Sequence, residues 1–289
     1  MIIILAIGIA VGCVYALVAV GYSLVYRTTG VVNFAQGSYV MLGGFSAYWF
    51  LTNARLPYAV AIVLGVAVAT LAGLLMWMLI VLPLWRRRSP AFVVILATIV
   101  VGAILANAAL ILLGTTPRTL PPWIPAWGLG IAGNRVDGQY VLVFAATLLL
   151  MALFGAVLRF SILGKAMRAC AANRDVAQLL GISAERIGAI AFTTTAAIGG
   201  LGGAMITPAQ FTAPEAGLAY GVYGFVAAVL GGFGSLAGAL VGGLLLGVLQ
   251  ALVGRYISSN FETVIVFAVL LALLTVRPQG IIGMQWEES

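Results

Sequence analysis

The chain has 289 residues, 63% of them hydrophobic and 7% charged, with a mean hydropathy of +1.18. A soluble globular domain carries about 25% charged residues, so 14 basic and 7 acidic side chains could not keep the surface of a soluble protein of this size hydrated. The formal net charge of +7 does not indicate nucleic acid, because the basic residues stand singly or in short runs between apolar blocks and are not gathered on one exposed face.

Two cysteines, Cys13 and Cys170, and no histidine leave no disulfide framework, no zinc set and no imidazole general base. Each Cys reads as a packing residue or free thiol. No His, Cys or carboxylate cluster converges in or near the apolar stretches, so a membrane-embedded enzyme is the weakest reading.

In chain order, the charges leave long uncharged stretches: Ile2–Tyr26, Thr28–Ala54, Leu56–Trp85, Ser89–Pro117, Gly138–Leu158, Ile187–Pro214, Ala216–Gly254 and Tyr256–Val276, the last interrupted by Glu262. Crossing a bilayer takes roughly 20 apolar residues, and continuous apolar runs without barrel-type alternation select helices. The first stretch lacks a basic leader and a small-residue cleavage site and reads as a retained span. The expectation is an all-α polytopic membrane protein, a single transmembrane domain over 1–289 with about eight transmembrane helices and broken or re-entrant Gly-rich segments.

The second stretch contains VVNFAQGSYVMLGG, Val31 to Gly44. Asn33, Gln36, Ser38 and Tyr39 bring amide and hydroxyl groups into apolar surroundings, where they either bond across helices or line a substrate pathway. Further on, the Pro/Trp-rich segment Thr115–Gln139 is expected to be an external loop.

The loop Arg159–Arg186 reads RFSILGKAMRACAANRDVAQLLGISAER. Asp175–Leu180 favours a short helix, with Asn173 as N-cap, Asp175 in the first turn and Gly181 just past the C-terminus. Around Ala177 the apolar set Val176, Leu179, Leu180 and Ile182 is expected to be exposed. The segment reads either as an ordinary positive-inside loop or, because an exposed apolar set wants a partner, as a surface that docks in a groove.

If that loop is cytoplasmic and each earlier stretch crosses once, Arg27, Arg86, Arg87, Arg88, Arg159, Lys165, Arg168, Arg174 and Arg186 lie inside, while Arg55, Arg118 and Arg135 lie outside. The excess of basic residues in cytoplasmic loops therefore puts the N-terminus outside.

Ala216–Gly254 is too long for one span, roughly 58 Å of helix against a core of about 30 Å. It breaks at Gly231–Ser235, after which Tyr256–Val276 returns the C-terminus to the cytoplasm. Gly231, Gly234, Gly238 and Gly242 recur at spacings that put them on one helix face, continued by Gly243 and Gly247. Gly8 with Gly12 and Gly199 with Gly203 repeat the pattern. Small residues let helices approach closely in lipid, and the same glycines could break half-helices around a pathway.

No charged residue stands in the middle of an unambiguous span, whereas proton-coupled carriers usually need an intramembrane carboxylate. Sodium coupling through backbone carbonyls stays open. A Walker A motif is missing.

Over most of its length the chain resembles the LivH-type permeases of branched-chain amino acid ABC transporters. The resemblance runs from GCVYALVAVGYSLVYRTTGVVNFAQGSYVMLGG through GKAMRACAANRDVAQLLGI to VLGGFGSLAGALVGGLLLG and RPQGIIG. It implies a bacterial inner-membrane subunit paired with a second, LivM-like permease. Two cytoplasmic ATPases that bind the ATP and a periplasmic solute-binding protein would complete the importer, surrounded by lipid and without nucleic acid. The segment Asn173–Gly181 then resembles the coupling segment that docks in an ATPase groove. The family pattern reads NFAHGE where this chain has Gln36 and Ser38, so no role of that imidazole or carboxylate carries over. Related permeases carry urea, short amides and other amino acids, and a secondary carrier or channel working without ATPases is the competing class.

Overall fold

The computed structural model describes residues 1–123, 127–131, 134–277 and 279–282. Pro278 and Gly283 of the closing motif, and residues 124–126 and 132–133 of the Thr115–Gln139 segment, lie outside these. Helices follow the uncharged stretches: α1 (Ile2–Thr29), α2 (Gln36–Thr52), α3 (Tyr58–Leu75), α4 (Leu82–Arg86), α5 (Ala91–Leu113) and α6 (Gly138–Phe160). After them come α7 (Ile162–Ala172), α8 (Arg174–Leu179), α9 (Ala184–Ile206), α10 (Ala216–Gly231), α11 (Leu236–Tyr256) and α12 (Glu262–Val276). A two-stranded antiparallel hairpin, β1 (Gly128–Ile131) and β2 (Asn134–Asp137), precedes α6.

Among the described residues, six helical runs are long and apolar enough to cross a membrane: α1, α3 through α4, α5, α6, α9 and α11. The shorter α2, α10 and α12 complete the bundle. The architecture is the expected all-α polytopic one, with the count of eight approximate.

Chemistry at the helix ends explains the boundaries. Gly30, at φ 72°, stops α1 by donating its N–H to Tyr26 O. Side chains of Asp137, Ser161, Ser183 and Ser235 accept from backbone N–H groups in the first turns of α6, α7, α9 and α11, satisfying donors that the helix itself leaves unpaired. Between α3 and α4 the run changes to a π-helix at Met76–Val81 just before Pro83. Proline has no N–H to return to the preceding turn, and a wider turn absorbs the misfit. Trp77 of this segment is buried against Phe192 and Trp85.

α1 is the centre of the bundle. Every residue from Gly12 to Val25 is buried, as expected of a helix that is apolar all round, and α6, α9, α10 and α11 pack about it. By contrast α5 exposes Phe92, Leu96, Ile104, Ile111 and Leu112, an apolar face suited to lipid or a second subunit. In lipid, close backbone approach replaces the hydrophobic drive between helices. At the crossing of α1 and α11, a Cβ on Gly12 would come within 2.7 Å of Gly243 O.

The glycine ladder needs a correction. Gly231, Gly234, Gly238 and Gly242 do not share one helix face. Gly231 ends α10, Gly234 lies in the turn at φ 90°, and Gly238 and Gly242 belong to α11. Periodicity counts on across a turn without registering it. α10 and α11 form an antiparallel hairpin in which Gly231 faces Gly238 and Gly242, so the glycines close two helices on each other. The turn is pinned to α1, with Arg27 Nη1 donating to Gly234 O at 3.0 Å and Gly234 N–H to Ser23 Oγ at 3.1 Å.

Basic residues gather at one end of the bundle. Arg86 makes two bonds to the Glu185 carboxylate, at 2.7 and 2.6 Å, and the Arg174 guanidinium lies 4.3 Å from the centre of the Trp85 ring. Arg27, Arg159 and Arg168 surround one cavity there. Ile281 and Ile282 donate to the carbonyls of Leu230 and Gly231, which brings the segment after α12 to the same end. At the opposite end the chain around Arg118 is laced down: Arg118 and Thr212 exchange backbone bonds of 2.9 and 2.8 Å, Tyr58 donates to Pro121 O, and Gln139 bridges Trp123 N and Met205 O.

Candidate functional site

The Arg159–Arg186 segment holds more structure than one short helix. α7 comes first, amphipathic and packed on α1, α6 and α9. It places Cys170 on its buried side, where burial pushes the thiol pKa up. α8 then has the expected caps: Asn173 Oδ1 accepts from Asp175 N and Val176 N at 3.0 and 3.1 Å, and Gly181 follows at φ 81°. Ile182 N–H returns to Ala177 O at 3.0 Å.

Ala177, 1% exposed, is the foot of α8, while Val176, Leu179 and Leu180 are 50%, 87% and 73% exposed. Spacings of three and four residues put those three on one face. Ile182 does not join them, because the cap folds it back against the core cluster. Arg174, stacked on Trp85 and 4.0 Å from Asp175, holds the start of α8 against α4. The result is a small apolar knob at the basic end.

A second constellation lies where α1 meets α2. Asn33, Gln36, Ser38 and Tyr39 are all buried. Asn33 Oδ1 accepts from Ala35 N at 3.1 Å, and its amide reaches Tyr39 Oη at 3.3 Å. Gln36 Nε2 donates to Thr195 O of α9 at 3.0 Å, but among the described residues Gln36 Oε1 is buried without a hydrogen-bond partner. Ser38 Oγ faces Gly102 of α5 and Gly217 of α10. Asn33 and Tyr39 are thus brought together and Gln36 turns beside them toward α9, whereas Ser38 faces α5 and α10 instead; one acceptor is left over.

A third group was not legible in the sequence. Tyr15 Oη donates to Gln250 Oε1 at 2.6 Å, and Gln250 Nε2 to Glu262 Oε2 at 3.2 Å. The Tyr15 ring lies 6.0 and 5.3 Å from those of Tyr220 and Tyr223. Together with Gln210 they line a cavity of about 330 Å³ between α1, α10, α11 and α12. A lone glutamate breaking an apolar run was the available signal, and only the tertiary packing supplies its neighbours. Among the described residues no group of three His, Cys, Asp or Glu stands together to hold a metal ion.

Residues 4–274 match the family described as branched-chain amino acid transport system / permease component. The chain is 31% identical to the high-affinity branched-chain amino acid transport system permease protein LivH of Escherichia coli K12, over 96% of this chain and 93% of that one. It is 31% identical to BraD of Pseudomonas aeruginosa PAO1, over 96% and 94% of the two chains. The ribose import permease protein RbsC of Escherichia coli K12 is 26% identical over 90% and 80%. No solved structure matches. With all but the ends of the chain inside that match, and the helices and spans described above, the protein belongs to the branched-chain amino acid transport permease family.

Proposed function

We propose that residues 1–289 act as one permease domain of an ABC importer for branched-chain amino acids, working with a second permease, two cytoplasmic ATPases and a periplasmic binding protein. The observation that carries this reading is the exposed face of Val176, Leu179 and Leu180 on a helix fixed by Asn173, Ala177 and Arg174. Exposed apolar side chains favour a partner that buries them, and an ATPase groove at the basic, cytoplasmic end is such a partner. Asn173, Asp175 and Gly181 shape the knob. On this reading the N-terminus is external, the C-terminus cytoplasmic, and the ATP belongs to the partners. The chain itself catalyses no reaction.

Asn33, Gln36, Ser38 and Tyr39 border the solute route in this proposal. The unpaired Gln36 acceptor supports it, because a buried acceptor left unmade costs about 1–3 kcal/mol, and a passing solute or water would satisfy it. Vesicles carrying the assembled importer should take up leucine only with ATP inside and binding protein outside; uptake without the ATPases would return the secondary-carrier reading. Similarity to a ribose permease keeps a wider solute class in the test. Calorimetric titration of the binding protein with leucine, isoleucine, valine, urea, acetamide and ribose should give binding with the branched-chain amino acids, and tighter binding of any other solute would reassign the substrate.

A further inference from the structure

At the basic end, α1, α6, α7 and the start of α11 enclose a cavity of about 440 Å³. Its walls are apolar, with Leu24, Phe154, Leu158 and Leu236 among them, and Arg27, Arg159 and Arg168 stand exposed at its rim. Among the described residues no carboxylate lines it. Neither ion pair among the described residues, Arg86 with Glu185 or Arg174 with Asp175, involves these arginines. Arg27 gives one N–H to Gly234 O and Arg168 one to Leu158 O, and Arg159 lies 5.3 Å from the Phe160 ring centre. A guanidinium carries five donors, so most of the fork of each is available to a ligand.

We propose that this cavity binds an anionic phospholipid, its phosphate held by the three arginines and one acyl chain laid along the apolar wall. Three like charges at the mouth of a low-dielectric pocket repel one another and call for a counter-anion. Guanidinium forks match phosphate oxygens in geometry. The apolar interior selects an anion with a hydrocarbon tail over a free anion, and the position between spans at the basic end is where anionic lipid headgroups lie. The cavity is separate from the α8 knob, so an acidic segment of a protein partner is the less fitting occupant.

The test is native mass spectrometry of the purified importer in detergent, titrated with phosphatidylglycerol or with phosphatidylethanolamine of the same acyl chains. Phosphatidylglycerol should be retained about tenfold more strongly, and Arg159→Gln should remove most of that preference. Among the described residues the Arg159 side chain makes no hydrogen bond and only the contact with the Phe160 ring, which makes it the safer variant; Arg168→Gln should act in the same direction. Arg87→Gln, basic and exposed but outside the cavity, should leave the preference intact. Equal retention of the two lipids overturns the proposal, and so does an Arg87→Gln effect as large as that of Arg159→Gln, which would mean a general basic belt. Displacement of phosphatidylglycerol by millimolar inorganic phosphate would mark a free-anion site and also overturns it. Loss of the ATPases from the Arg159→Gln importer with lipid preference unchanged would make this a protein-docking surface instead.

Discussion

Gln36 carries opposing terms in one side chain. Its amide N–H bond to Thr195 O is worth about 0.5–1.5 kcal/mol, and its bare buried acceptor costs about 1–3 kcal/mol. Gln36→Met keeps the length and most of the volume and removes both, so stability should fall by no more than about 0.5 kcal/mol and rise by up to about 2.5 kcal/mol. Solute uptake should nonetheless fall at least about tenfold, the equivalent of one interaction worth ~1.4 kcal/mol. Wild-type uptake in Gln36→Met would reduce the cluster to a structural joint. At this scale the sequence named the polar residues but not their partners. Gln36 meets a carbonyl 159 positions away, and Tyr15, Gln250 and Glu262 are joined only by the crossing of α1, α11 and α12. Local pattern encodes which side chains are polar, while tertiary packing decides which of them meet.

At the scale of elements, most helices were readable because bilayer thickness and backbone satisfaction leave few alternatives. The cap signals at Asn173 and Gly181 were equally local, and α8 has both. What failed was assigning Gly231, Gly234, Gly238 and Gly242 to one face, since the turn at Gly232–Ser235 inverts the chain direction between them. The hairpin also sharpens what a leucine would do. A side chain at Gly242 meets Ala227 O and lies 2.8 Å from Gly231 N, which is backbone and cannot move aside. Gly242→Leu should therefore part α10 from α11 and cost several kcal/mol, read as loss of a monodisperse peak in fluorescence-detected size exclusion. Leu245→Ala, at a 48% exposed position on the same helix, should stay within about 1 kcal/mol of wild type. Equal behaviour of the two variants would remove the hairpin contact from the account.

For the whole molecule, the grouping of Arg27, Arg86, Arg159, Arg168 and Arg174 at one end gives spatial form to the charge bias along the chain, and the side of the membrane is then a matter for labelling. Gly130 is exposed with open space around its Cα, so Gly130→Cys should react with an impermeant maleimide in intact cells, while Leu179→Cys should react only after the membrane is opened. Cys170 cannot serve as the inside reporter. Burial in α7 hides it and pushes its thiol pKa up, leaving little nucleophilic thiolate at neutral pH on either side. Reaction of Leu179→Cys in intact cells, with Gly130→Cys protected, would invert the orientation.

Coupling is the property that no single chain displays, and Leu179 is where it can be tested. At 87% exposure the side chain contributes almost nothing to the fold, so Leu179→Asp should leave stability within about 0.5 kcal/mol and membrane insertion unchanged. If Val176, Leu179 and Leu180 fill an ATPase groove, the same change buries an unpaired carboxylate at a cost of several kcal/mol. The ATPases should then be lost on co-purification, and ATP-driven uptake with them. Leu179→Met, similar in volume and apolar, should keep both, which separates the chemistry of the groove from any disturbance of α8 itself. A Leu179→Asp permease that retains its ATPases and transports at the wild-type rate would show that the α8 knob is not the coupling surface. The importer would then need another cytoplasmic contact, and the exposed apolar face would be left without a purpose.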